Sequence, residues 1–206
     1  MRSCASNVNR KTNGETGKTM TKKAIVLLAN GFEEVEAVTP IDYLRRAGVE
    51  VTTAAIGDSL TVKGRWGGLK VTTDITLAEI AKKGTGGWDA VILPGGMPGA
   101  ENLAASKETG ALLKGMAAEG KLICAICASP AVVLSPLGLL KGKKFTCYPG
   151  MEEKVKDGGW SDDRVVVDGN VITSRGAGTA GEFAIAVIEK LIDKAAAKKI
   201  AGAVLL

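Results

Sequence analysis

Four kinds of residue in this chain could carry chemistry: a thiol, a group of carboxylates, a glycine pair and a tyrosine. Cys127 directly follows the apolar run Leu122 to Ile126 (LICAI) and precedes Ala128-Ser129-Pro130. A strand that ends there and a helix that opens with proline in its first turn would hold the thiol out at a sheet edge. The positive end of the helix dipole would then lower its pKa and favour the thiolate. The alternative reading of Cys127 is a small buried hydrophobe, a common fate of a free cysteine. Gly95-Gly96, after the run Trp88 to Leu93, lets the backbone approach a ligand with its N–H groups exposed. With the N–H of Ala128 these form a candidate oxyanion hole beside Cys127. Glu33, Glu34 and Glu36 open a helix, and helical spacing places Glu33 and Glu36 on apolar stripes equally well, so periodicity does not choose between them.

The chain contains no histidine. That absence removes Ser-His and Cys-His pairs, His-containing zinc sites and imidazole acid/base chemistry together. Catalysis must then use carboxylates, thiols, lysines, tyrosines or backbone groups. Cys124 and Cys127 form a CxxC pair in spelling only. Cys124 lies inside a strand, where positions three apart point to opposite faces, so it is read as core. With Cys4 in a polar tail, no four-ligand metal set can be assembled, and no metal is expected.

The elements that must position these groups follow from the apolar pattern. Ala24 to Ala29 (AIVLLA), Trp88 to Leu93 and Leu122 to Ile126 are continuous apolar runs, as expected of parallel strands covered on both faces. Val49 to Ile56 is a further strand, and Phe145 to Tyr148 another. A helix is predicted from about Glu33 to Ala47, capped by Gly48, and a second from Ser106 to Glu119. Residues 60–75 read as small glycine-rich hairpin strands. Asp168-Gly169 between two apolar runs marks a hairpin with a type I′ turn. Thr179-Ala-Gly-Glu182 reads as a capping box opening a helix to about Lys194, with a helical end toward Leu206. Alternating strands and helices imply an α/β three-layer sandwich with a mostly parallel sheet, and such folds bind ligands at the carboxyl ends of their strands. That rule selects the segments after Ala29, Leu93 and Ile126 and the region around Tyr148.

The bulk numbers set limits. The 206 residues, 46% hydrophobic and 24% charged with 27 glycines, suit one globular domain over residues 22–206. Residues 1–21 are polar and lack periodicity, and read as a disordered leader, with Met20 an alternative start and organelle targeting a weak option. No apolar run reaches the roughly 18 residues of a membrane span, so a cytoplasmic protein with no membrane partner is expected. The net charge of +5 comes from scattered lysines and arginines, and aromatics are 4% of the chain, which argues against a nucleic-acid partner.

The segments AIVLLANGFEEVEAVTPIDYLRRAG, DAVILPGGMPGAENL, AICASPAVVL and VITSRGAGTAGEFAIAVIEKL, in this order, resemble the parkinsonism-associated deglycase branch of the ThiJ/PfpI superfamily over about residues 22–206. The resemblance implies a flavodoxin-like fold with Cys127 as nucleophile and Glu36, the third glutamate of GFEEVE, as its protonated partner. It places Gly95 and Gly96 in the oxyanion-binding element. Relatives often carry a histidine where this chain has Tyr148, which as a catalytic residue can donate a hydrogen bond or pass a proton but whose reference pKa near 10 makes it a poor base, so Glu36 must carry more of the proton traffic. The implied activity is glutathione-independent conversion of methylglyoxal and glyoxal to lactate and glycolate, with protein deglycation a further possibility, no metal or organic cofactor, a 2-oxoaldehyde substrate and a homodimer. Asp42, Arg45 and Arg46 are the candidate dimer residues. The competing class is a redox-sensing chaperone that uses oxidation of Cys127 without turnover. An amidotransferase or peptidase would need a Cys-His pair and is set aside.

Overall fold

The computed structural model describes residues 21–84 and 87–206; the expected leader lies outside them except for Thr21. The described residues form eleven strands: β1 (Lys23–Leu28), β2 (Glu50–Ala55), β3 (Thr61–Lys63), β4 (Lys70–Thr72), β5 (Ile75–Thr76), β6 (Ala90–Leu93), β7 (Leu122–Ile126), β8 (Lys144–Phe145), β9 (Gly159–Trp160), β10 (Val165–Asp168) and β11 (Val171–Ser174). Six α-helices accompany them: α1 (Glu34–Arg46), α2 (Leu77–Lys83), α3 (Gly99–Ala105), α4 (Lys107–Ala118), α5 (Ala180–Leu191) and α6 (Lys194–Ala203). The central sheet runs β10-β11-β7-β6-β1-β2-β5, and every pairing is parallel except β10 with β11.

The apolar runs explain this arrangement. Ala24 through Leu28 and all of β6 are fully buried, because helices cover both faces of the sheet and leave no side for alternating polar residues. Helices α1, α5 and α6 pack together as one outer layer, while α2, α3 and α4 form the other. The three-layer sandwich is the expected one. Helix α1 ends where Gly48 takes φ +83°, a conformation suited to glycine after a helix. Ser106 caps α4 by accepting the N–H of Thr109 at 3.1 Å.

Several local expectations are corrected. The strand predicted over Phe145 to Tyr148 stops at Phe145, because the N–H of Thr146 goes to Thr173 Oγ1 (2.9 Å) and that of Tyr148 to the carbonyl of Cys127 (2.8 Å). The Thr179–Glu182 capping box does not form. Thr179 Oγ1 lies 2.6 Å from Ser174 Oγ, and Glu182 instead accepts from Arg164 Nε at 2.7 Å. The 168–169 turn is shifted by one residue: Asp168 still pairs with Val171, and of the two residues between them only Gly169 has positive φ (62°), the pattern of type II′. The last helical region breaks after Leu191 and restarts with Asp193 as cap. Helices α2 and α3 were not foreseen; at seven residues each they are too short to show periodicity.

Candidate active site

The carboxyl ends of β1, β6 and β7 meet at one place. Directly after β7, Cys127 adopts φ +63°, rare for a residue with a side chain. That strain persists because the elbow is fixed from both sides: its N–H donates to the Ser174 carbonyl (2.9 Å) and its carbonyl accepts the N–H of Tyr148 (2.8 Å). Ser129, fully buried, donates from Oγ to the Pro94 carbonyl at 2.6 Å and ties the elbow to the loop after β6. The segment after the elbow is a single π-wound turn, Pro130–Leu134, followed by a 3₁₀ turn, Ser135–Leu137, and not the regular α-helix expected.

The first helix settles the choice among glutamates. Glu33 is its cap, accepting the N–H of Glu36 at 2.8 Å. Glu36 is 1% exposed, accepts the N–H of Gly95 on Oε2 at 2.8 Å and is hydrogen-bonded to the thiol of Cys127. Burial lifts its pKa from 4.5 to about 7, opposed by the Gly95 and Cys127 hydrogen bonds, with Glu33 raising it and Arg65 lowering it to a smaller degree.

The thiol is not depressed as the dipole reading expected. Burial first, then the neighbouring Glu36, pushes Cys127 up to about 12, while N–H groups of Gly96 and Ala128 directed at the sulfur pull it down. The two acids therefore behave as a coupled pair. An ionised Glu36 repels a thiolate, whereas a protonated Glu36 donates to it and removes the repulsion. Among the residues assigned to an oxyanion hole, Gly96 and Ala128 face the sulfur, but the N–H of Gly95 is spent on Glu36.

Gly95 has a packing reason to be glycine: a Cβ there would sit 2.6 Å from Cys127 Cβ and 2.8 Å from Glu36 Oε2. Gly95→Ala is accordingly expected to separate the pair, destabilising the fold by about 1–3 kcal/mol. Urea unfolding reads the difference.

The pair opens into a cavity of about 660 Å³ whose lining includes Glu36, Arg65, Trp66, Met97, Cys127 and Tyr148. Tyr148 contacts the elbow through its backbone; its side chain is 53% exposed at the mouth, and its hydroxyl has no hydrogen bond among the described residues. Arg65 and Trp66 were not anticipated. They arrive through the bridge between Phe32 and Gly64, a long-range contact that no periodicity announces. Cys124 is fully buried core, as expected. Asp42, Arg45 and Arg46 lie in the C-terminal half of α1, away from the site; Arg46 pairs with Asp42 (2.7 Å) and Arg45 bonds the Val51 carbonyl (3.1 Å). Among the described residues there is no cluster of three or more metal-ligating side chains and no helix long and apolar enough to cross a membrane.

A parallel-sheet sandwich with a cysteine on a strained elbow after a central strand, beside a buried carboxylic acid, defines a class of α/β proteins with a cysteine at the carboxyl edge of the sheet. The chain belongs to the DJ-1/PfpI family, whose model matches residues 22–190. It is 46% identical over 174 residues to Protein DJ-1 homolog B of Arabidopsis thaliana, covering 84% of this chain but only 39% of that longer protein. It is 38% identical over 173 residues to the Caenorhabditis elegans protein named glutathione-independent glyoxalase DJR-1.2, covering 82% of this chain and 89% of that one. The oxidised DJ-1 of Toxoplasma gondii superposes with a TM-score of 0.85 at 42% identity, covering 90% and 98% of the two chains.

Proposed function

We propose that the protein is a glutathione-independent glyoxalase that converts methylglyoxal and glyoxal to lactate and glycolate. The observation that carries this reading is the hydrogen-bonded pair of Glu36 and Cys127 inside a cavity, with the N–H groups of Gly96 and Ala128 aimed at the sulfur. The relative named as a glyoxalase supports it.

The residues divide the work as follows. Glu36 takes the thiol proton, and the resulting sulfur anion attacks the aldehyde carbon to form a C–S bond. Charge moves onto the former carbonyl oxygen, where backbone N–H groups at the elbow can receive it. Glu36, now protonated, neutralises that oxygen and gives a hemithioacetal. As a carboxylate again it removes the proton from the former aldehyde carbon and returns it to the neighbouring carbon through an enediolate, leaving a thioester. Water then cleaves the C–S bond, releasing lactate and restoring the thiol. The sum is methylglyoxal plus water giving lactate, with no net redox change. A pKa about 7 suits a group that must alternate between base and acid near neutral pH.

Steady-state lactate formation from methylglyoxal in thiol-free buffer tests the reading, and no turnover above the uncatalysed rate would sink it. A second reading rests on the same contact. A protonated Glu36 can donate to an oxygen of an oxidised Cys127, so a peroxide sensor would use the same geometry. Peroxide-dependent protection of unfolding clients in the absence of aldehyde turnover would favour the sensor.

A further inference from the structure

The cavity over Cys127 has the volume of sites that hold ligands far larger than a three-carbon aldehyde. One wall belongs to a strap. Its backbone is held against the start of α1 by Gly31 N–H to the Lys63 carbonyl (2.8 Å), Arg65 N–H to the Phe32 carbonyl (2.8 Å) and Trp66 N–H to Glu34 Oε1 (3.0 Å). The strap presents an indole that is 74% exposed, with the Arg65 guanidinium 4.8 Å from its centroid. With its backbone anchored, one face under Arg65 and most of its surface in water, the indole keeps its other face free as a stacking platform. Met97, Met151 and Tyr148 line the same cavity, and thioethers and phenol rings also pack well on aromatic groups.

We propose that this site selects 2-oxoaldehydes bearing an aryl substituent, with the aldehyde carbon at Cys127 and the ring stacked on Trp66. The inference rests on the glyoxalase reading and names its substrate class. The chemistry is unchanged: sulfur adds to the aldehyde carbon, Glu36 carries the proton to the adjacent carbon, and water releases an aryl 2-hydroxy acid, so that phenylglyoxal plus water gives mandelate.

The test compares kcat/KM for phenylglyoxal and methylglyoxal, taken as initial rates ahead of any arginine modification, in the wild type, Trp66→Ala and Trp66→Phe. Trp66→Ala is expected to lower the phenylglyoxal-to-methylglyoxal ratio about tenfold, the size of a lost ring stack, with Trp66→Phe recovering most of it. Glu34→Ala, which frees the Trp66 N–H, should move the ratio in the same direction. An unchanged ratio, or equal loss on both substrates, would overturn the proposal. Calorimetry with the unreactive products separates its failure from that of the function. If no aldehyde is turned over, the glyoxalase reading fails, yet mandelate binding more tightly than lactate in the wild type and not in Trp66→Ala would still establish the platform. Equal affinity for both acids in the wild type would remove it.

Discussion

Cys127→Ala is expected to lower thiol-free lactate formation by at least about a thousandfold, to the uncatalysed rate, because Cys127 is the one thiol among the described residues that lines the cavity. Cys124 is fully buried, and burial raises its thiol beyond any useful acidity. Cys147 is 1% exposed and does not line the cavity. The fold should survive the substitution, since the elbow is held by backbone hydrogen bonds on both sides and not by the sulfur. Cys127→Gly sharpens the point. At φ +63° glycine relieves about 1–2 kcal/mol of backbone strain, so this variant should lose activity while unfolding at an equal or higher temperature. A thermal melt beside the lactate assay separates loss of the nucleophile from loss of structure.

Glu36→Gln should reduce turnover by roughly a hundredfold to ten thousandfold, the range associated with loss of a positioned acid/base group. Glutamine still accepts the Gly95 N–H but can neither take the thiol proton nor move one between carbons. In the wild type kcat/KM should rise with pH through about 7, as Glu36 becomes able to accept the thiol proton, and this limb should be missing from the residual activity of the variant. The same group shapes stability. Its folded pKa lies above the unfolded value, so between about 4.5 and 7 the folded state binds more protons than the unfolded one. The stabilising contribution is full below pH 4.5, falls as pH rises and is gone above about 7, a change of about 3 kcal/mol across that window. Glu36→Gln lacks that ionisation, so its stability relative to wild type should improve from pH 5 to pH 8. Denaturant titrations at the two pH values measure the difference.

The frame of the site was legible wherever a strand is buried on both faces. The runs ending at Ala29, Leu93 and Ile126 read directly as β1, β6 and β7, the first ending one residue earlier in the structure, and the rule for parallel sheets points to their carboxyl ends. Glu33 and Glu36 could not be separated by periodicity because the decisive fact is long-range: the Gly95 N–H reaches Glu36 across 59 residues, while Glu33 is occupied as the helix cap. The thiol's acidity is hidden from the sequence for a related reason. A strand–Cys–Ser–Pro pattern announces an elbow, but it does not say that a π-wound turn replaces a regular helix, or that a carboxyl group with raised pKa lies against the sulfur. Thr179 shows how a local motif yields to tertiary bonding, since its hydroxyl meets Ser174 and Gly176 and leaves the N-terminus of α5 without a side-chain cap. Arg65 and Trp66 sit on a glycine-rich hairpin with no periodic signature, and only the Phe32–Gly64 bridge brings them to the cavity.

The most direct measurement is rapid-quench mass spectrometry of the protein turning over methylglyoxal without any added thiol. The expected result is a covalent species heavier by one methylglyoxal, mapped to the peptide containing Cys127, that forms and decays fast enough to account for the lactate released. Lactate appearing at the full rate with no adduct on Cys127, or at the same rate from Cys127→Ala, would contradict the covalent role given to that sulfur.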